Sequence, residues 1–182
     1  MKTHLALLRG INVSGQKLIK MEDLRSLLES AGFKNVSTYI QSGNVFVDTD
    51  ETSKAKVADK IKNIIKEKYG FDVGILILGL ADLKKTVKDN PFLKDADVNL
   101  KQVYVAFLSD SPQAENIDKF RQFDVQDDIA LLEGNIMYLK YAIGAGQTKL
   151  SNALIENKLK VVSTSRNWNT TLKLLEMFEA RT

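Results

Sequence analysis

Two short segments in the first half of the chain combine polar side chains with glycines. The first contains Arg9 and Asn12, and the second contains Gln41, Ser42 and Asn44. An arginine can form paired hydrogen bonds with a phosphate or carboxylate, and amides and a hydroxyl can complete the hydrogen bonding of the ligand. The glycines beside them let the backbone approach a ligand closely. These residues predict a binding site for a small anionic ligand.

A third polar segment near the end of the chain contains Arg166, Asn167 and Trp168. It lies between an apolar run and an amphipathic stretch, which predicts a strand-to-helix junction. Hydroxyls and amides can cap the helix there, and Arg166 can bind an anion. We therefore include all three residues as ligand-binding candidates. Trp168 can instead belong to a buried stripe with Leu172 and Leu175, which is the commoner use of such spacing.

Both groups of residues also have a purely structural interpretation. Glycine and asparagine are the residues that tight turns require, and an exposed arginine often pairs only with a surface carboxylate. From the residues alone the two interpretations stay open. Whether the segments around Arg9 and Arg166 form one site is open as well.

The elements that must position these residues follow a β-α-β-β-α-β order in the first half. Apolar runs of strand length alternate with stretches whose apolar residues recur at helical spacing, and a Ser-Gly pair between two strand-like runs indicates a hairpin. The predicted strands are 4–13, 36–41, 44–49 and 72–78. One helix is predicted from Lys20 to Gly32, and a second is predicted from the N-cap Ser53 to Gly70.

The second half repeats this order, with predicted strands over 102–108, 129–132, 136–141 and 161–164. Its helices are predicted to begin at Ser111-Pro112 and at Thr148, and a terminal helix covers 167–180. The predicted fold class is α+β, with two successive ferredoxin-like subdomains plus a C-terminal helix. The predicted division is 1–79, a helical linker over 80–101, and 102–182. An open α/β sheet is the main alternative, and the two hairpins argue against it.

This topology predicts which loops meet. In a β-α-β-β-α-β unit the first two strands run parallel with the third between them, so their carboxyl ends share one edge of the sheet. The 9–15 turn and the 41–44 hairpin should therefore converge near the start of the first helix, where unpaired N–H groups favour an anion. The equivalent edge of the second half has no arginine and is acidic. The site is therefore expected in the first half.

Composition removes several classes of chemistry. The chain has no cysteine, which excludes thiol catalysis and zinc-thiolate sites. Its single histidine is His4, so no other histidine can be the base of a Ser-His-Asp triad. No acidic cluster has the spacing of a metal loop, and no cofactor motif is present, so neither metal nor cofactor is predicted. The net charge of +3 is spread along the chain. No run is long enough to span a membrane, and we expect a cytoplasmic monomer.

The motifs LLRGINVSG, GFKNVSTYIQSGNVFV, NPF and STSRNWNTTLKL together resemble a bacterial family, domain of unknown function 1697 (DUF1697). The resemblance extends along essentially the whole chain, and every candidate residue lies within one of these motifs. It implies a fold of two α+β subdomains and no established activity. One departure is Ser14, where the family commonly has the first glycine of a Gly-Gly pair.

Three functions are therefore considered, and whether the protein is an enzyme stays open. The leading hypothesis is binding of a small phosphorylated or carboxylated ligand. Hydrolysis of acyl phosphates or phosphoryl groups rests on fold analogy with acylphosphatases, whose loop signature is absent here. A nucleic-acid-binding module is suggested by the fold class and the isoelectric point of about 8.9. The dispersed charge and the lack of strand aromatics argue against that third hypothesis without excluding it.

Overall fold

The computed structural model describes residues 1–181, which form eight strands and six α-helices. The first half contains β1 (Lys2–Leu8), α1 (Met21–Ser30), β2 (Lys34–Tyr39), β3 (Asn44–Thr49), α2 (Lys54–Tyr69) and β4 (Ile75–Leu78). Then follow α3 (Leu80–Lys88) and two short 3-10 turns (Pro91–Lys94 and Leu100–Gln102). The second half contains β5 (Val103–Leu108), α4 (Ala114–Arg121), β6 (Ile129–Glu133), β7 (Ile136–Lys140), α5 (Asn152–Leu159), β8 (Ser163–Asn167) and α6 (Trp168–Glu179).

The first sheet has the strand order β2-β3-β1-β4, and each neighbouring pair is antiparallel. β1 and β2 therefore run parallel with β3 between them, as predicted. Directly paired residues share a face, so Ala6, Val45 and Ile77 lie on the same side of the sheet. These residues belong to a core that also includes buried side chains of α1 and α2. Both helices thus cover this face of the sheet.

The two helices of the first sheet follow local sequence signals. Their buried residues recur every three or four positions, which places them on one face: Met21, Leu24 and Leu28 in α1, and Val57, Ile61 and Ile65 in α2. The Ser53 hydroxyl accepts a hydrogen bond from the Lys56 N–H, and Gly70 ends α2 in the left-handed conformation at φ +72°. The predicted cap and stop of α2 are confirmed.

The second sheet repeats this arrangement with the order β6-β7-β5-β8, again antiparallel throughout. Alternate strand residues pack against α4 and α5 in a separate core that includes Ala106, Leu108, Met137, Leu139, Phe120, Ile155 and Leu159. The prediction of two β-α-β-β-α-β units followed by a C-terminal helix is confirmed.

Two predicted helix starts are wrong. Thr148 does not cap α5, because its hydroxyl oxygen accepts the Leu150 N–H at 2.8 Å in a turn before the helix. The same hydroxyl donates to the Asp128 carboxylate, whose other oxygen accepts the Ala142 N–H at 2.8 Å. Ser151 takes the cap position and accepts the Leu154 N–H at 3.2 Å. α4 starts at Ala114 rather than after Ser111, since Gln113 is still extended at φ −70° and ψ 148° and provides no side-chain cap.

Strand ends also differ from the prediction. β1 stops at Leu8 rather than at residue 13, because Gly10 and Asn12 adopt positive φ values of +68° and +54° and turn the chain out of the sheet. β8 covers Ser163–Asn167 rather than 161–164, so Arg166 is a strand residue and α6 follows directly. The shift is local and leaves the strand order unchanged.

Contacts divide the chain into two compact units. The first unit contains Met1–Lys84 together with the chain from Leu174 onward, and the second unit contains Lys85–Lys173. Both boundaries fall inside helices, α3 and α6. The sequence-based division at residues 79 and 102 stays a prediction. Among residues 1–181, none of the helices combines the length and apolar character that crossing a bilayer requires.

Candidate functional site

The loop that follows β1 folds back on itself as a miniature hairpin. Val13 and Gln16 form an isolated bridge, with the Gln16 N–H donating to the Val13 carbonyl at 2.9 Å. Ser14 and Gly15 between them both have positive φ, at +50° and +74°, which is the conformation of a type I′ turn. Serine enters this region at a cost and glycine does not, so glycine would suit position 14 of this turn better than serine does.

Asn12 joins this loop to the hairpin between β2 and β3. Its Nδ2 donates to the backbone carbonyls of Ile19 and Gln41, both at 2.9 Å. Its Oδ1 accepts the Ile19 N–H at 2.8 Å. The predicted convergence of the two segments is therefore present, and the Asn12 amide produces it. Both amide hydrogens and the oxygen are engaged with backbone atoms, which gives Asn12 a positioning role.

The hairpin itself is held by Asn44 and Gly43. The buried Asn44 Nδ2 donates to the Tyr39 carbonyl at 2.9 Å and to the Ser42 hydroxyl at 3.0 Å. The Gly43 carbonyl accepts the Leu8 N–H at 2.8 Å, and a Cβ at Gly43 would lie 2.7 Å from the Leu8 Cβ. The hairpin tip thus packs directly on the end of β1, and only glycine fits at position 43.

Arg9 begins the loop on the other side of this contact. It is partly buried, and its backbone N–H donates to the Gly74 carbonyl at 2.8 Å. The loop is therefore anchored to the chain leading into β4 as well as to the hairpin. Together these bonds make the 9–19 loop and the 40–43 hairpin one connected edge of the first unit.

A groove of about 650 Å³ opens at this edge, where the Asn12 loop, the hairpin and the start of α1 meet. Asn12 and Gln41 are the predicted residues that line it, whereas Arg9, Ser42 and Asn44 do not. The remaining lining residues come from the chain entering α1, its first turns, and the end of α2: Leu18, Ile19, Lys20, Met21, Glu22, Asp23, Arg25 and Tyr69. The volume is in the range of small-molecule sites.

The start of α1 forms one wall of the groove without a capping side chain. Its N-cap residue is Lys20, which makes no side-chain cap bond, and the first intrahelical bond comes from the Leu24 N–H. The N–H groups of the first turn therefore lack helical partners. Lys20 and Arg25 supply positive charge to the groove, and Glu22 and Asp23 supply negative charge. Formal charges on the lining residues thus balance.

Tyr69 contributes a buried hydroxyl without a hydrogen-bond partner among residues 1–181. Burial, and to a smaller extent the nearby Asp23 charge, raises the pKa of Tyr69. A buried hydroxyl normally finds a partner, so this one is an unsatisfied hydrogen-bonding group on a residue that lines the groove. Sequence reasoning missed Tyr69, Lys20 and Arg25, since no local motif links the end of α2 with the start of α1.

The third polar segment has mainly structural contacts within the second unit. Arg166 is buried, and its Nη1 donates to the Thr164 hydroxyl at 2.8 Å and the Ser165 carbonyl at 2.9 Å. Burial lowers its pKa to about 10. Asn167 caps α6, because its Oδ1 accepts the Thr170 N–H at 2.7 Å. Trp168 is buried at the first position of α6, as expected for a core residue.

Metal chemistry has no visible basis in the described part of the chain. Within residues 1–181 no group of three histidine, cysteine, aspartate or glutamate side chains is arranged to hold a metal ion. The groove offers lysine, arginine, carboxylate, amide and phenol groups, which are hydrogen-bonding and ion-pairing partners.

A family model described as a protein of unknown function, DUF1697, matches residues 1–138. The chain belongs to the DUF1697 family. The matched range includes both segments that form the groove edge, and it ends before Arg166, Asn167 and Trp168. No curated protein matches the chain.

A solved structure shares the fold. It is the conserved bacterial protein SP0830 from Streptococcus pneumoniae, which is 24% identical and aligns with a TM-score of 0.78. The alignment covers 98% of this chain and 99% of the other. The architecture described above is therefore present over nearly the whole length of an experimentally solved protein. The similarity between the two proteins is one of fold.

Proposed function

We propose that the protein binds a small organic ligand with a phosphate or carboxylate group in the groove of the first unit. The observation behind this proposal is the meeting of the Asn12 loop and the Gln41 hairpin at the uncapped start of α1, around a space of about 650 Å³. An anionic group placed there can accept hydrogen bonds from the first-turn N–H groups. Lys20 and Arg25 add positive charge at the same wall.

The acidic residues of the groove narrow the class of ligand that we expect. Glu22 and Asp23 lie beside Lys20 and Arg25, so a bare inorganic anion gains little net attraction. A ligand that also carries hydroxyl or amino groups can donate to these carboxylates. We therefore favour a phosphorylated or carboxylated metabolite with several hydrogen-bond donors over phosphate itself.

Backbone strain at the groove edge supports a binding role. Asn12, Ser14, Lys17 and Ile40 all have positive φ without being glycine. Ile40, at φ +50°, is the least expected of these, because a β-branched side chain is disfavoured there. Strained residues persist where surrounding structure holds them, and they concentrate at ligand-binding sites. In this protein they concentrate in the two segments that meet at the groove.

Ligand-dependent thermal stabilisation tests the proposal. Uridine monophosphate, glucose 6-phosphate, glutamate and inorganic phosphate form a first panel. A ligand at about one hundred times its dissociation constant adds about 2.7 kcal/mol of stability. For a chain of this size that corresponds to an increase of about 5–10 °C in Tm. We expect an organic anion of the panel to exceed inorganic phosphate.

Matched variants locate the site. Gln41→Ala removes a groove side chain and keeps the backbone carbonyl that Asn12 binds, and Gln113→Ala is its control because Gln113 is exposed and makes no cap bond. Lys20→Gln and Lys149→Gln form a second pair of exposed lysine substitutions. Both groove variants should reduce the ligand-induced shift while the controls keep it. An unchanged shift in Gln41→Ala and Lys20→Gln contradicts the proposed location.

A further inference from the structure

A second groove, of about 500 Å³, lies between α4 and α5 in the second unit. It is distinct in composition from the groove of the first unit, because no carboxylate is among its lining residues. Three lysines, three amides and one aromatic ring line it: Lys119, Lys158, Lys160, Asn116, Gln122, Asn157 and Phe123. Lys119 comes from α4, whereas Lys158 and Lys160 come from the end of α5, about 40 residues later, so the sequence alone does not predict the cluster.

Two of the three lysines have uncompensated charge. Lys119 pairs with Glu115 along α4, at 2.5 Å. Lys158 Nζ instead lies 5.3 Å from the centre of the Phe123 ring, a cation–π contact that holds the ammonium in the groove. Among residues 1–181, no carboxylate lies within salt-bridge distance of Lys158 or Lys160.

Nearby acidic groups are engaged elsewhere. Glu156 of α5 accepts the Ser163 N–H at 3.0 Å, and Asp118 of α4 pairs with Arg121 at 3.6 Å. Asp124 accepts the Gln126 N–H at 2.9 Å. The groove therefore presents net positive charge together with amide groups that both donate and accept hydrogen bonds.

Lys160 occupies a position where glycine is the usual residue. It ends α5 in the left-handed conformation at φ +58°, whereas α2, the equivalent helix of the first unit, ends at Gly70 with φ +72°. Attraction to the helix C-terminus explains lysines in the last turn, and α2 has Lys66 and Lys68 there. It does not explain a lysine in place of the glycine. Lys160 therefore adds a third ammonium group to the groove at a position that glycine could occupy.

We propose that the α4–α5 groove binds single-stranded nucleic acid. Lys158 and Lys160 would contact backbone phosphates, which provide the salt-dependent part of such binding. Asn116, Gln122 and Asn157 can hydrogen bond to base edges, since amides match both the donors and the acceptors of bases. Base edges are accessible in single strands and largely hidden from side chains in an RNA duplex. An acidic polypeptide has matching charge, but its side-chain carboxylates only accept hydrogen bonds, whereas base edges both donate to and accept from the three amides.

The test is fluorescence anisotropy with labelled twelve-nucleotide dT and U oligomers, titrated with the full-length protein at several salt concentrations. The variant is Lys158→Gln with Lys160→Gly, which removes both charges and relieves the left-handed strain, so folding is retained. Its control is Lys66→Gln with Lys68→Gln, which removes the same charge from the end of α2. We expect the groove variant to bind about tenfold more weakly and the control to change less than about twofold.

Salt dependence adds a second readout. Loss of two phosphate contacts reduces the slope of log affinity against log salt by about 1.4 for single strands. Equal weakening in the groove variant and the control would overturn the proposal, as would absence of salt-dependent binding by the wild type. Polyglutamate competing as well as the oligomers would assign the groove to acidic polypeptides instead. Gln41→Ala, which tests the first groove, should leave oligomer affinity unchanged.

Discussion

Asn12 Nδ2 donates to the backbone carbonyl of Gln41 at 2.9 Å and thereby joins two loops that are 29 residues apart in the chain. The same side chain binds both backbone groups of Ile19. One amide thus determines where the 9–19 loop, the hairpin and the start of α1 lie relative to one another.

Replacing Asn12 therefore tests the structure of the edge. Asn12→Gly keeps the positive φ of +54° and removes three hydrogen bonds, so we expect a loss of about 1–3 kcal/mol in the free energy of unfolding. Asn12→Ala should lose about 1 kcal/mol more, because alanine is strained at this φ. Urea denaturation measures both values.

Asn35 provides the control for these variants. It also has positive φ, at +48°, and its exposed Nδ2 makes a single bond to Asp48 at 2.7 Å. Asn35→Gly should therefore cost under about 1 kcal/mol. A loss for Asn12→Gly no greater than that for Asn35→Gly would contradict the joining role of Asn12.

Alanine substitutions at Gly43 and Gly70 distinguish the cost of a steric clash from the cost of backbone strain. Their φ values are close, at +79° and +72°, but a Cβ at Gly43 would lie 2.7 Å from the Leu8 Cβ, while a Cβ at Gly70 has nothing within 4 Å. Gly70→Ala should cost about 1–2 kcal/mol through its backbone alone. Gly43→Ala should cost about 1–3 kcal/mol beyond that, because Leu8 or the hairpin must move. Equal losses in urea denaturation would show that the hairpin tip does not pack on β1.

Ser14 is a position where the protein should gain stability. Its φ of +50° is unfavourable for serine, so Ser14→Gly should raise the free energy of unfolding by up to about 1 kcal/mol. Ser26 is an exposed serine inside α1, where the same substitution should lower stability by about 0.5 kcal/mol. Opposite signs for the two variants are the expected result of thermal denaturation. A loss of stability in Ser14→Gly would argue against the type I′ turn.

The buried His4 should make the free energy of unfolding depend on pH. Its Nε2 lies 3.1 Å from the Glu51 carbonyl, which can only accept, so Nε2 holds the proton and the buried Nδ1 has no partner among residues 1–181. Burial, together with the Lys2 and Lys54 charges, lowers its pKa below the ordinary 6.5, while the Glu51 bond and Asp48 act in the opposite direction. The unfolded chain therefore binds the proton more readily.

Stability should fall as the pH decreases from about 6.5 toward the lowered pKa of the folded state. His4→Gln keeps an N–H donor for Glu51 and cannot be protonated. Between pH 7.5 and pH 5, the unfolding free energy of the wild type should decrease more than that of this variant. A difference that stays constant over this range would mean that His4 binds the proton equally well in both states.

Several features of the fold follow from local sequence signals. The Ser53 cap and the Gly70 stop were predicted because each depends on its own side chain or backbone, and the alternation of strands and helices leads to the order β2-β3-β1-β4. The Thr148 cap was wrong because its hydroxyl accepts the Leu150 N–H in a turn before the helix, while Ser151, three residues later, takes the cap position. Local signals therefore fail where two nearby hydroxyls can each bind a backbone N–H and only one of them begins the helix.

The candidate site was predicted less completely. The meeting of the two loops followed from topology, and Asn12 and Gln41 do line the groove. Asn12 and Asn44 use their amides on backbone carbonyls, a role that residue type alone does not distinguish from ligand binding. Tyr69 could not be predicted, since its place at the groove depends on how α2 packs beside α1. The lysines of the α4–α5 groove were missed for the same reason.

The central claim is that the groove at the start of α1 binds a small organic anion. Amide NMR of the labelled protein, titrated with uridine monophosphate, glucose 6-phosphate and glutamate in turn, tests it most directly. We expect one of these ligands to shift the backbone signals of Met21, Glu22 and Asp23 and the side-chain amide of Gln41, with weaker shifts in Lys20→Gln. Saturable shifts confined to residues outside the groove, or no shifts with any of the three, would contradict the claim.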